Sequence, residues 1–491
     1  MLAFLVGSLL LILGYTVYGR VIEREVRPDP DSVTPAIRLA DGLDFVAMPT
    51  WRVALIQLLN IAGLGPVFGP IMGALWGPQV FFWVVFGAIL GGAVHDFLSG
   101  VMSIRNDGEG LPDLIGRYLG NGMRHLSTVV IMVLMVLVGT VFVKGPAMLI
   151  AQLLPADTVG GWFGQDVAGL LSSTVGGHSF WLWLVMVSIF AYYLVATLLP
   201  IDAIIGRVYP FLGLALLVMV GGLALAILRG EMPLPEFTLA NLHPDGVAAW
   251  PIIFITVSCG AVSGFHATQS PLMARCLKSE RSMRPVFYGA MIAEGFIALV
   301  WASAAQGFYG GSGALSAALA SGGPGQVVHD ICVTTMGSWG GVLAILGVVV
   351  LPITTGDTAF RVGRLIAADY FGIDQGRIRN RYLIALPMFG VSIGLNFVDF
   401  TIIWRYFGWI NQSLAAVTLW AGTVFLARRG SRWWLAAPPA VFMTVVTTTY
   451  ILVEDFGFGL PYRVGVGLGM VFGAGAMIVF LVGRPHGKSD I

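Results

Sequence analysis

The sequence predicts an all-α polytopic membrane protein of about thirteen transmembrane helices, two of them broken, and three observations carry that prediction. Hydrophobic residues make up 57% of the 491 and charged residues only 11%, with a mean hydropathy of +0.85; no soluble domain has that balance. Apolar windows of membrane-spanning length recur along the whole chain, separated by turn or charge signals. Two of those windows carry glycine and proline at their centres, where a lipid-facing helix has to bond its own backbone.

Taken in order, the windows fall near 2–19, 53–76, 79–103, 125–152, 179–200 and 208–228, then 250–272, 286–307, 338–358, 382–398, 404–427, 433–452 and 462–483. Each approximates the stretch of about 20 residues that a bilayer requires. Residues 2–19 have no basic segment before them and read as a retained first span rather than a cleaved signal peptide. The three cysteines, Cys259, Cys276 and Cys332, match neither disulfide nor metal spacing. A net charge of +1 carries no nucleic-acid footprint, so the expected partners are lipid, a small solute and an ion. The connections 20–52, 105–124, 207, 275–284, 361–381, 428–432 and 484–488 hold 23 of the 27 basic residues, Arg207 and Lys488 among them. Connections 153–178 and 308–337 hold none. Positive charge stays on the cytoplasmic side, which places the protein in the cytoplasmic (inner) membrane with Met1 outside and Ile491 inside.

The second broken window, 250–271, reads WPIIFITVSCGAVSGFHATQSP and packs Ser258, Gly260, Ser263, Gly264, His266, Thr268 and Gln269 into its middle. Two glycines at about 1 kcal/mol each, beside hydroxyls and an imidazole, mark an interruption. The first, NIAGLGPVFGP at 60–70, does the same with Gly63, Gly65, Gly69 and two prolines. A glycine-rich packing seam explains such residues too. Each broken window opens a set of five helices, and the two sets run with opposite topology. That is the pattern of an inverted-repeat (5+5) core of the LeuT type, APC-like, expected here at 51–230 and 247–428, with an added span and cytoplasmic loop at 1–50 and two added spans and a tail at 429–491. The repeat rests on topology, because the halves share no residue-level likeness. Half-helix ends and freed amides hold substrate in such cores. Gly63, Gly65, Gly69, Ser258, Gly260, Ser263, Gly264, His266 and Gln269 are therefore the expected substrate-binding residues, and leucine at Gly264 is expected to abolish uptake while sparing the fold.

Ionisable residues inside spans mark function or helix-to-helix ties. On 79–103 the i, i+4 spacing aligns Gly87, Gly91 and His95, then Ala88, Gly92 and Asp96. Glu294 sits between Ala290 and Ala298 on one face, and Thr354, Thr355 and Asp357 gather oxygen atoms near a span end. His95, Asp96, Glu294, Thr354, Thr355 and Asp357 form the expected ion-coupling set. A pairing of Asp357 with Arg361 accounts for the last three equally well. An unperturbed histidine titrates at about 6.5, so His95 beside Asp96 tips the expectation toward protons over sodium, whereas Thr354 and Thr355 favour sodium. Asn411, Gln412 and Ser413 either line a cavity or, as favoured here, bond between helices; Lys144 can snorkel toward the outer surface, and no role is assigned to it. The tail GRPHGKS at 483–489 is one residue short of a phosphate loop and follows a span rather than a strand, so nothing supports ATP-driven transport, a nucleotide or another cofactor.

Seven stretches resemble the carbon starvation protein A family: DGLDFVAMPTW from Asp41, IAGLGPVFGP from Ile61, GAVHDF from Gly92, SCGAVSGFHATQSPLMARC from Ser258, VFYGAMIAEGFIALVWA from Val286, LGVVVLPITTGDTAFR from Leu346 and WRYFGWINQSLAAVTLW from Trp404. They are spread over most of the chain. The resemblance implies an inner-membrane secondary carrier for small carbon and nitrogen sources, pyruvate or short peptides, driven by a cation gradient. The chain is shorter than many members and carries His95 where several have Gln. A membrane-embedded enzyme and a nutrient sensor without flux are the alternatives, and no nucleophile triad or metal cluster supports the enzyme.

Overall fold

The computed structural model describes residues 1–42, 45–197 and 201–484, the side chains of 201–209 excepted. The Arg207 side chain, Lys488, the tail from 485 onward and two residues of the DGLDFVAMPTW stretch thus lie outside the described residues.

Helix α1 (Leu2–Val26) leads into the first broken pair, α2 (Thr50–Ile61) and α3 (Gly65–Gly73), which meet at a bend of 47°. Next come α4 (Gln79–Arg105), α5 (Asn121–Leu153), α6 (Phe180–Ala196) and α7 (Ile201–Leu228). The second broken pair is α8 (Ile252–Thr256) and α9 (Gly264–Ala274), with non-helical backbone between. It is followed by α10 (Gly289–Tyr309) and by α11 (Ser312–Phe371), which breaks at Gly323 and Gly337 where φ is 70° and 62°. The chain closes with α12 (Ile378–Leu395), α13 (Phe400–Arg428), α14 (Ala437–Val453) and α15 (Tyr462–Gly483).

Among the described residues nine helices are long and apolar enough to cross a membrane, and ten if α2 and α3 count as one bent span. The shorter α6, the α8–α9 pair and α12 fall on three further windows of the hydropathy reading without meeting that length and composition, so nine to ten of the thirteen expected spans qualify among the described residues. The chain divides into two compact units: Met1–Ile131, Glu236–Ser303 and Gly408–Ile491 form one, and Met132–Pro235 with Ala304–Phe407 form the other. Each of the stretches 51–230 and 247–428 is shared between both units.

In the first unit, side chains from the basic connections tie α1 and α4 to the neighbouring segments. Arg105 meets Glu280 at 2.9 Å, Arg284 meets Glu23 at 2.8 Å and Arg432 meets Glu25 at 3.5 Å. Small residues dominate the middle of α4 for a packing reason. A methyl group at Gly87 would lie 3.0 Å from the Ala261 side chain, one at Gly91 would lie 2.6 Å from Val262, and one at Gly92 would strike the Ala261 carbonyl. Only glycine lets the unwound segment lie directly on this helix.

The second unit is cored by Tyr193, Phe360 and Phe389 with Val143 and Met186. The Tyr193 hydroxyl donates to the Phe142 carbonyl at 3.3 Å, and Thr140 and Ser392 hydroxyls meet at 2.8 Å. Asp357 pairs with Arg361 one turn on, at 3.6 Å, and the Thr354 and Thr355 hydroxyls donate to the Leu351 carbonyl of their own helix. Lys144 runs inward instead of snorkelling to the surface. It is 1% exposed, and its ammonium donates to the Asn396 carbonyl at 3.0 Å and the Val398 carbonyl at 2.6 Å, closing the end of α12. The two contacts satisfy helix-end carbonyls and give the buried amine its partners. Lys144→Met therefore leaves the carbonyls unsatisfied and is expected to lower stability by about 1–3 kcal/mol; an unchanged unfolding midpoint in detergent would contradict this.

Candidate functional site

The site is built on the seven residues Val257–Ser263 that separate α8 from α9. Gly260 turns the chain at φ 87°, and a side chain there would strike Ala298 of α10. Freed backbone groups are met one by one. Trp83 Nε1 donates to the Val257 carbonyl at 2.8 Å, Gln412 Nε2 donates to the Phe254 carbonyl at 2.8 Å, and the Val262 amide donates to the Ser258 carbonyl at 2.9 Å. Asn411 caps the start of α9: its Oδ1 accepts from the Phe265 amide at 2.7 Å and its Nδ2 donates to the Ser263 hydroxyl at 3.1 Å. Asn411 and Gln412 thus bond between helices as their sequence context implies, while Ser413 donates within its own helix to Trp409 at 2.8 Å.

The first break lies against the second. A methyl group at Gly69 would lie 3.0 Å from the Thr256 carbonyl, and one at Gly65 would overlap Cys259. Gly63 is part of the bend itself, its amide donating to Ile61 at 2.9 Å. A methyl group at Gly264 would strike the α13 backbone at the Asn411 carbonyl and would lie 2.6 Å from the Ala415 nitrogen. The glycines of both breaks therefore have a steric role at these close approaches.

Polar chemistry concentrates where α4, α9 and α10 meet this segment. Asp96 is fully buried, and each of its carboxylate oxygens faces an imidazole: Oδ1 lies 2.7 Å from His95 Nδ1 and Oδ2 lies 3.0 Å from His266 Nδ1. The far nitrogen of His266 points at Glu294, with Nε2 to Oε2 at 3.5 Å. His266 and Glu294 are completely buried and His95 is 1% exposed. Neither Glu294 oxygen, nor His266 Nε2, nor His95 Nε2 has a hydrogen-bond partner. The structure thus draws His266, expected at the substrate, into one chain with His95, Asp96 and Glu294, expected at the ion. Gln269 donates to the neighbouring Thr268 hydroxyl at 3.0 Å and leaves its own carbonyl oxygen unmet. Ser258 is buried within the break. Thr354, Thr355 and Asp357 belong to the other compact unit.

Donor atoms of Cys259, His266 and Glu294 all lie within 4.8 Å of one another, the spacing a metal ion needs. The Cys259 thiol, however, donates to the Ser263 hydroxyl at 3.5 Å, and a metal binds the thiolate, not the thiol. Cys259 carries no sequence signal that foretells this neighbourhood.

Residues 1–161, 147–310 and 306–450 match the family described as carbon starvation protein CstA. The chain belongs to the CstA family. It is 42% identical over 355 residues to an uncharacterized membrane protein of Haemophilus influenzae, a match covering 66% of this chain and 95% of that one. The peptide transporter CstA of Bacillus subtilis is 31% identical over 60% of this chain and 57% of its own. The pyruvate/proton symporter BtsT of Escherichia coli is 28% identical over 59% of this chain and 46% of its own. The chain thus spans about half the length of these named transporters. Among solved structures, MhsT in complex with L-phenylalanine superposes with a TM-score of 0.55 at 14% identity, over 89% of this chain and 98% of that one. The CstA-family chain therefore has the LeuT-type fold that its two breaks foretell.

One consequence concerns Gly264. Because its neighbours are α13 backbone, Gly264→Leu is expected to lower folding yield and stability, by about 1–3 kcal/mol even with local adjustment, contrary to the expectation that the fold is spared. A monodisperse variant with wild-type thermal stability would restore the simpler substrate-site role.

Proposed function

We propose that this CstA-family member is a secondary active transporter of the cytoplasmic membrane that imports small carbon and nitrogen nutrients, pyruvate or short peptides, together with protons. The observation that carries the coupling is the bridge from Asp96 through His266 to Glu294: a histidine on a broken helix, joined on each side to a buried carboxylate. Substrate held at the breaks near Gly63, Gly65, Gly69, Ser258, Gly260, Ser263, Gly264 and Gln269 would move the same helix that positions His266. Motion of α9 and occupancy by a proton are then mechanically linked. The names of the Bacillus and Escherichia relatives support the two substrate classes, and the latter supports the proton. Kinship with transporters argues against an enzyme. Basic residues concentrated on alternate connections support Met1 outside and Ile491 in the cytoplasm.

A sodium reading keeps one observation of its own, the Thr354, Thr355 and Asp357 cluster. Its hydroxyls are engaged with the Leu351 carbonyl and its carboxylate with Arg361, which favours the structural role.

Proteoliposomes containing the whole chain, supplied with radiolabelled pyruvate or alanyl-alanine, decide between the ions. Accumulation is expected with an inward-acid pH gradient and no sodium. Accumulation that follows sodium and ignores the pH gradient would transfer the coupling role to the Asp357 cluster. Binding without uptake under any gradient would make the protein a sensor.

A further inference from the structure

We infer that Glu294 is the group that takes up and releases the transported proton, that His266 is its conduit, and that Asp96 is a fixed counter-charge. This rests on the proton-symport reading above and assigns its moving part. The two buried carboxylates differ in their surroundings. Asp96 has an imidazole nitrogen against each oxygen, at 2.7 Å and 3.0 Å, so its ionised form is fully solvated by the protein. Glu294 is equally buried, yet neither oxygen has a short, well-aligned hydrogen bond, its facing imidazole nitrogen standing off at 3.5 Å. An ionised carboxylate left this way in a membrane interior is far more costly than a neutral carboxyl group. In the conformation described here Glu294 carries the proton.

The groups facing Glu294 permit its release. They are His266 at 3.5 Å and the Cys259 thiol, with Asp96 and His95 on the far side of the His266 ring. With Asp96 ionised and able only to accept, the neutral His266 tautomer that fits carries its proton on Nδ1, which leaves a lone pair on Nε2 directed toward Glu294. A closure of a few tenths of an ångström brings the pair within hydrogen-bond reach. The Glu294 O–H bond then breaks as an Nε2–H bond forms, leaving Glu294 anionic and His266 cationic between two carboxylates. The reverse step restores the starting state, and no electron changes hands. Two features of the packing set the 3.5 Å gap. His266 rides on α9, whose start is latched by Asn411, and Glu294 lies on the α10 face that receives Gly260: Gly295 would bring a methyl group 3.4 Å from the Gly260 carbonyl. A substrate that shifts the Gly260 segment changes the gap, which couples solute to proton.

The experiment compares wild type with Glu294→Gln in proteoliposomes, using radiolabelled pyruvate and alanyl-alanine. Exchange across equal concentrations needs no net proton movement and is expected to survive in the variant, with its pH dependence lost, while accumulation driven by an inward-acid gradient falls to background. Glu294→Gln that still accumulates substrate on the pH gradient overturns the assignment. Failure of wild type to accumulate on that gradient overturns the symport reading itself, a separable result. Should Glu294→Gln fail to fold, infrared difference spectra of purified wild type between acid and alkaline buffer give the same answer. The band of a protonated buried carboxyl group is expected to shift when glutamate is labelled with carbon-13 and to stay when aspartate is labelled. The opposite pattern overturns the assignment.

Discussion

A helix that unwinds inside a bilayer exposes amide and carbonyl groups that hydrocarbon cannot bond, and each unmet group costs several kcal/mol. The arrangement of the first compact unit follows from meeting that demand at Val257–Ser263. Trp83, Gln412 and Asn411 reach in from α4 and α13 with polar side chains. Glycines at 65, 69, 87, 91 and 92 strip away side chains so that neighbouring helices come close enough to shield the segment. The interruption is therefore stable because it is enclosed, and it remains able to move because its bonds run to side chains rather than to a continuous helical ladder.

Enclosure creates the second constraint. Four ionisable residues, His95, Asp96, His266 and Glu294, lie at 0–1% exposure beside the break. Buried charge survives only when paired or neutralised. An alternating line of imidazoles and carboxylates satisfies this with one proton more or less, because any proton added to one member is adjacent to an acceptor. A structural ion pair would be built from Arg or Lys, whose charge is permanent; the second unit uses that solution at Asp357 with Arg361 and at Lys144. The first unit has its own arginine pairs, such as Arg105 with Glu280, but only beside the break does it place histidines between buried carboxylates, and this supports assigning the coupling chemistry there.

Membership of the CstA family and a LeuT-type fold agree with this division without supplying it. At 14% identity MhsT shares the path of the chain rather than its side chains, and the named transporters extend well beyond the matched region. The chemistry has to be read from the residues at the break.

Much was legible from the sequence because the membrane imposes it locally. The apolar helices, the two breaks and the conspicuous polar residues within them follow from hydropathy, from glycine and proline, and from the cost of an ionisable group in lipid, all of which act over about one helix length. Tertiary structure alone decided which of those residues meet. Asp96, His266 and Glu294 are separated by 170 and 28 positions, and periodicity within one helix says nothing of the register between helices. The same limit hid the inward course of Lys144, which depends on where the end of α12 presents its carbonyls, and the steric duty of Gly264, which depends on the α13 backbone beside it.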